Sequence, residues 1–328
     1  MHYDVFNGDA DGIIALLQLR LASPKESILI SGVKRDIDLL AQVDVNKASS
    51  VTVLDISLEK NKLALDNLLN AGIDVFYVDH HRTGVIPDSS KLTTILDTDA
   101  NTCTSLLINN HLNGRYSDWA IAAAFGDNMQ ASAIELAEEK GLSKLQQGQL
   151  NELGTYINYN GYGQHLNDLH FNPADLFKSL LAFPDPFQLI NQKESLFSQL
   201  KEAYLADMAK AKESSVLSDC GTVKTVILKN APWSRRVSGV FGNALANESP
   251  NKAHIVVTLL TNTRPEQQDN DNKRYTVSLR APLNNKQGAG DLCAMFATGG
   301  GRAAAGGIND LPHKSLDKFI NIVANYYR

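Results

Sequence analysis

The stretch whose reading decides the fold is "FYVDHHRTG", Phe76 to Gly84. An apolar and aromatic run stops abruptly at an acid, two adjacent histidines and an arginine. Such a run, bounded by polar residues, reads as a short buried strand with its polar cluster at the carboxyl end. Just upstream, "LEKNKLALDNLLNAG" reads as a helix closed by glycine. Before it comes another strand pattern, "SSVTVLDIS". Further out lie "SILISGV", the helical "DGIIALLQLRLA" and the opening "YDVF"; "LTTILD" follows on the other side. Strands alternating with helices predict an α/β domain, a mostly parallel sheet with helices on both faces. Ligands of such sheets gather at the carboxyl ends of the strands.

Acids recur at those ends. "NGDADG" carries Asn7, Asp9 and Asp11, "VLDIS" carries Asp55, and "VDHH" carries Asp79, His80 and His81. "AFGDN" places Asp127 after a helix of small residues. Taken singly, each acid reads as a turn residue or a helix cap. Taken together, they are carboxylates and imidazoles at equivalent places in one sheet. That donor mixture suits Mn²⁺, Fe²⁺ or Zn²⁺ better than Ca²⁺, which takes oxygen almost exclusively.

In this order, "NGDADGIIA", "VLDIS", "VDHH" and "FGDN" resemble the motifs of the DHH phosphoesterase superfamily. That superfamily includes manganese-dependent pyrophosphatases, RecJ-type exonucleases, nanoRNases and cyclic-dinucleotide phosphodiesterases. The later "ATGGGRAAAGGI" resembles the glycine-rich signature of the DHH-associated domain. The resemblance spans nearly the whole chain and implies a two-metal site. By similarity Asp55 bridges the two cations, and Asp11, His80 and Asp127 complete the second site. Asp9 serves the first, His81 ligates or contacts the scissile phosphate, and Asp79 orients His80 or a nearby ring. Mn²⁺ is the implied cofactor, with Mg²⁺, Co²⁺ or Fe²⁺ as alternatives. One departure stands out. Many members carry a histidine at the position of Val5, and RecJ-type exonucleases instead an aspartate at that of Asn7. An amide oxygen binds a cation without neutralising it, so the first site is expected to be the weaker.

After about residue 102 the pattern turns helical. "FPDPFQLINQKESLFSQLKEAYLADMAKAKESSVLSD" reads as one long charged helix, a connector between domains or another bundle helix. Strand patterns return in "TVKTVILK", "AHIVVTLL" and "RYTVSLR", with the polar "TNTRPEQQDNDNKR" between the last two. The expected division is a catalytic domain over 1–185, a helical connector over 186–215 and a smaller α/β substrate-binding domain over 216–328. In that last domain Gly299, Gly300, Gly301 and Arg302 are candidates for a phosphate cradle, with "RAAAGG" opening a helix toward the anion. Tight packing of small residues is the other reading. Arg302 stands where relatives usually carry histidine. Arg280, at a strand end, is a second candidate for phosphate. "APWSRRVSG" offers Trp233, Arg235 and Arg236 as a nucleotide clamp or a plain surface loop. "NYNGYGQHLNDLHFNP" reads as a loop shaping the cleft, with His165 and His170 as weaker ligand candidates.

The 328 residues carry a net charge of −5, divided as −11 over residues 1–215 and +6 over 216–328. An acidic half and a basic half fit a cation site followed by a grip for an anionic ligand. The acidic total argues against a protein that coats long duplexes by charge. No apolar run approaches a membrane span, and the N-terminus lacks the pattern of an export signal. Three scattered cysteines, Cys103, Cys220 and Cys293, fit reduced thiols in a cytoplasmic protein. The expected function is hydrolysis of short oligonucleotides or dinucleotides to mononucleotides by a phosphodiesterase. A cyclic-dinucleotide phosphodiesterase, or a nucleotide-binding protein with an impaired metal site, are the alternatives. A homodimer is compatible with all three, and no membrane partner is expected.

Overall fold

A computed structural model describes residues 1–99, 101–260 and 273–328. The chain packs as two compact units, Met1–Ala203 and Tyr204–Arg328.

The first unit is built on β1 (His2–Phe6), α1 (Ala10–Ala22), β2 (Ile28–Ile30), β3 (Ser50–Leu54), α2 (Leu58–Asn70), β4 (Asp74–Asp79) and β5 (Leu92–Leu96). The strands form one parallel sheet in the order β2-β1-β3-β4-β5. The order reverses between β1 and β3, which opens a crevice at their carboxyl ends. Alternation along β1 sorts its faces. Tyr3 and Val5 join the core with Leu39, Val53, Leu65 and Tyr77, whereas Phe6 packs on Phe177. Val5, where the resemblance leads one to expect a histidine, is a fully buried core residue. Helix α1 is buried on nearly every side, as an all-round apolar helix must be. It packs against α3 (Thr104–His111), α4 (Ser117–Gly126), α6 (Lys144–Gly161) and α7 (Pro173–Leu180). The short α5 (Gln130–Glu139) lies on α4.

At the amino end of the sheet, away from the crevice, buried Asp4 accepts from Arg20 Nε at 2.9 Å and Ser27 Oγ at 2.6 Å. Burial alone would raise its carboxyl. Hydrogen bonds from His2, Arg20 and Ser27, with the Arg20 charge, outweigh that and hold it at about 2. The resulting stabilisation is complete above about pH 4 and is lost as pH falls through about 2. Arg20→Ala leaves that carboxylate buried without its cation. Chemical denaturation should show a loss of about 3–5 kcal/mol; a loss below about 1 kcal/mol would mean the pair behaves as an exposed one.

Two elements differ from the sequence reading. The supposed single connector helix is α8 (Pro186–Asn191) followed by α9 (Leu196–Lys212), and the division between units falls inside α9. The break has a local cause: Glu194 takes φ 51°, and Ser195 Oγ accepts from Ser198 N at 3.3 Å as a fresh cap. The tail "SVLSDC" is not helix but β6 (Ser215–Cys220), paired antiparallel with β7 (Val223–Leu228).

The second unit continues with α10 (Pro232–Glu248), β8 (Ala253–Leu259), β9 (Arg274–Arg280), α11 (Ala289–Ala294), β10 (Gly299–Arg302), β11 (Ala305–Pro312) and α12 (Leu316–Tyr326). Its mixed sheet runs β10-β11-β9-β8-β7-β6. The core joins alternate residues of β8, β9 and β11 to Leu316, Phe319 and Val323 of α12. Most of the polar "TNTRPEQQDNDNKR" lies outside the described residues.

Candidate metal centre

Four chain segments bring donors to the crevice. Asp9 caps α1, accepting on Oδ1 from Asp11 N at 3.0 Å and Gly12 N at 3.1 Å. Asp11 lies in the first turn of α1 and reaches across to α3. Its two oxygens accept from Thr104 N at 2.8 Å and Ser105 N at 2.7 Å. Helix α3 thus takes its N-terminal acceptor from a residue more than ninety positions earlier. Asp55 follows β3 at φ 60°, a conformation uncommon outside glycine, asparagine and aspartate. Thr104 Oγ1 donates to its Oδ1 at 3.2 Å. Asp127 caps the carboxyl end of α4.

His80 Nε2 sits among three of these acids: 3.5 Å from Asp55 Oδ1, 3.9 Å from Asp11 Oδ2 and 4.0 Å from Asp127 Oδ2. Asp127 Oδ2 is buried and has no hydrogen-bond partner among the described residues. An orphaned buried acceptor of this kind is costly unless a ligand satisfies it. Burial raises the Asp55 carboxyl well above the usual range, and the charges of Asp11, Asp9, Asp127 and Asp79 add to the shift. Asp127 is raised by burial, with Asp9 and Asp11 adding to it and Lys34 and His80 opposing it. The group is a buried concentration of negative charge facing an imidazole, and its oxygen and nitrogen donors are of the kind that suits a divalent transition-metal cation.

The trio at the end of β4 divides its work. Asp79, wholly buried, accepts from His81 Nδ1 at 2.8 Å. The ring it orients is thus His81 and not His80. Burial would lower the His81 pKa, but the hydrogen bond and charge of Asp79 raise it above the ordinary value. One ligand atom each from Asp55, His80 and His81 lies within 4.8 Å of the others.

The surroundings of Asp9 are different. Lys34, which sequence reasoning missed, stands beside it. Its Nζ lies 2.6 Å from Asp9 Oδ2, 3.3 Å from Asp127 Oδ1 and 3.2 Å from Asn158 Oδ1. Burial alone would lower the ammonium pKa; Asp9, Tyr162 and Asp127 outweigh it and hold it well above its usual value. Asp9 is held low in return: burial opposes, while Lys34 and the Gly12 N–H prevail. Asn7 is no open ligand either. Its Oδ1 accepts from Asp9 N at 3.2 Å, and its Nδ2 donates to Lys34 O at 3.2 Å. The signal was present in "SILISGVKRD": a charged residue just past a strand end, like the acids.

The "NYN" segment is the last turn of α6 rather than loop, which is how Asn158 reaches Lys34. His170 Nε2 meets Tyr159 Oη at 2.9 Å, and His165 caps a short 3-10 turn.

In the second unit the glycine signature forms a hairpin, with Gly299–Arg302 paired antiparallel to Ala305–Ile308 and Ala303–Ala304 at the turn. No helix opens there. A side chain at Gly299 would collide with Cys293 O, so this glycine permits close packing on α11. Arg302 is exposed beside the turn on the edge strand. Arg280 is committed within the fold: Nε donates to Asn243 Oδ1 at 2.5 Å, Nη1 to Ser278 Oγ at 2.9 Å and Nη2 to Gly239 O at 3.1 Å. It ties β9 to α10. "APWSRRVSG" is the start of α10, with Arg236 buried against Asp207 at 2.7 Å. Trp233 lines a cavity of about 570 Å³ with Lys210, Lys229 and Tyr275.

No protein-family model matches the chain, and no curated protein sequence does. Solved structures do. Manganese-bound exonuclease RecJ is 14% identical with a TM-score of 0.58, over 99% of this chain and 89% of that one. RecJ of Thermus thermophilus in complex with Mn²⁺ is 14% identical with a TM-score of 0.57; this chain spans about half its length, 52%. The pGpG-specific phosphodiesterase PggH of Vibrio cholerae is 13% identical with a TM-score of 0.57, over 99% of this chain and 98% of that one. Two α/β units in this order give this chain the fold of these exonuclease and phosphodiesterase structures.

Proposed function

We propose that the protein is a metal-dependent phosphodiesterase that hydrolyses short oligonucleotides or dinucleotides to mononucleotides, with Mn²⁺ as its cofactor. The observation that carries this reading is the convergence of Asp11, Asp55, Asp127 and His80, with the Asp127 Oδ2 acceptor unsatisfied. A bound divalent ion supplies a Lewis acid for the phosphoryl group and lowers the pKa of water. The residues supply the rest. Asp79 fixes the His81 ring through Nδ1, so Nε2 serves the scissile phosphate, donating to it when the ring is protonated. Arg302 grips a phosphate that does not react, beside the backbone N–H groups of the glycine edge strand.

A short substrate is favoured by two points. The likeness to a pGpG-specific phosphodiesterase runs nearly end to end in both chains, and the acidic total disfavours long polymers. Turnover of dinucleotides of the pGpG kind with Mn²⁺, faster than that of cyclic dinucleotides, long single strands or pyrophosphate, is the expected result. No turnover with Mn²⁺, Mg²⁺, Co²⁺ or Fe²⁺ while dinucleotides still bind would make the chain a nucleotide-binding protein. Arg302→Ala should raise KM by roughly 10- to 100-fold with kcat nearly unchanged, since it removes uniform binding. A fall in kcat at constant KM would place Arg302 elsewhere.

A further inference from the structure

We propose that the Lys34 ammonium takes the place of the first cation, so that the site holds one metal ion and a built-in positive charge. The inference rests on the phosphodiesterase reading for its purpose but not for its test.

An ammonium has three donors, and all three have acceptors here: Asp9, Asp127 and Asn158. This is a saturated cation site. Its two carboxylates are those that, by resemblance, face the first and second metals. The side chain is about a quarter exposed, 27%, and stands 5.4 Å from the centre of the Tyr162 ring, a favourable surface for a cation.

The backbone of Lys34 is held from both sides. Its N–H donates to Gly161 O at 2.8 Å, and its carbonyl accepts from Asn7 Nδ2 at 3.2 Å. Asp36 Oδ2 accepts from Val33 N at 2.9 Å and closes the turn. The turn lies so near the acidic motif that a side chain at Gly8 would overlap Gly32 O. Asn7, where a charged ligand is expected, instead positions the lysine. Val5, where a histidine is expected, is core. One ligand absent, at whichever of the two positions a relative would carry it, and one cation present are a single consistent change: the first site lacks a metal donor and gains a charge of its own.

A fixed ammonium differs from a divalent ion. It carries half the charge, needs no loading from solution and cannot be removed by chelation. A divalent ion beside it would meet like charge at close range, with Asp9 already neutralised.

The test counts metal ions on the full chain by calorimetric titration with Mn²⁺ and by electron paramagnetic resonance. The expected result is one tight Mn²⁺ per chain with an uncoupled signal. Two tight ions with spin coupling would overturn the proposal and leave the phosphodiesterase reading intact. One ion with no turnover of any phosphodiester would sink that reading instead, and no bound ion would sink both. Lys34→Met removes the charge but keeps an apolar stem. It should bind Mn²⁺ about tenfold more tightly, or admit a second ion, because Asp9 and Asp127 are no longer neutralised. Unchanged or weaker binding, at unchanged stoichiometry, would overturn the proposal.

Discussion

Replacing His80 with alanine is expected to weaken Mn²⁺ binding by more than about 100-fold and to lower phosphodiester turnover by roughly 10³-fold or more. The imidazole supplies a nitrogen donor at the point where Asp11, Asp55 and Asp127 converge. Without it, the three carboxylates lose their buried nitrogen neighbour. His81→Ala is the sharp comparison. His81 is bonded to Asp79 and is 43% exposed, whereas His80 is buried at 5%. His81→Ala should therefore lose turnover while its Mn²⁺ affinity stays within about tenfold of the unmodified protein. Equal losses of metal in both variants would show that the adjacent histidines share one role.

Asp55→Asn is expected to abolish tight metal binding and yet stabilise the metal-free protein by about 1 kcal/mol or more, a rise in Tm of roughly 2–4 °C for a unit of this size. Burial and the charges of Asp11, Asp9, Asp127 and Asp79 push the Asp55 carboxyl well above its usual value. The folded state therefore holds that proton more firmly than the unfolded chain does. Stability from this group is greatest in acid and is lost as pH rises from about 4 toward the raised value. The amide stays neutral throughout, so the variant's stability should not show that fall. Metal reverses the order: at 100 times its Kd, Mn²⁺ should stabilise the unmodified protein by about 2.7 kcal/mol and the variant by nearly nothing. A metal-free Asp55→Asn protein less stable than the parent at neutral pH would contradict this electrostatic account.

Much of this site is legible in one sequence because its chemistry is local. Asp9, Asp55 and His80 each follow a strand or cap a helix, so periodicity alone puts them at one edge of a parallel sheet. Other features are not legible for physical reasons. Asp79 could orient either neighbouring ring, and only the geometry of the turn after β4 selects His81 at 2.8 Å. The glycine signature has no side-chain period, so strand and helix are not separable by pattern; pairing with Ala305–Ile308 makes it a hairpin. Arg280 reads as an open strand end, and its partners Asn243 and Gly239 lie on α10, far away in the chain.

By itself the sequence determined the α/β alternation, the ordered acidic motifs and the absence of a histidine at Val5. Each depends on residues within a few positions of one another, where the period of a strand or a cap dictates the outcome. The tertiary structure decided what stands beside Asp9. Lys34 comes from a strand end that looks ordinary, and it meets Asp127 and Asn158 across 93 and 124 residues. No local rule links them. Their charges and amides meet because the close approach at Gly8 and the length of α6 bring three distant segments to the crevice, where an ammonium finds an acceptor for each of its three hydrogens.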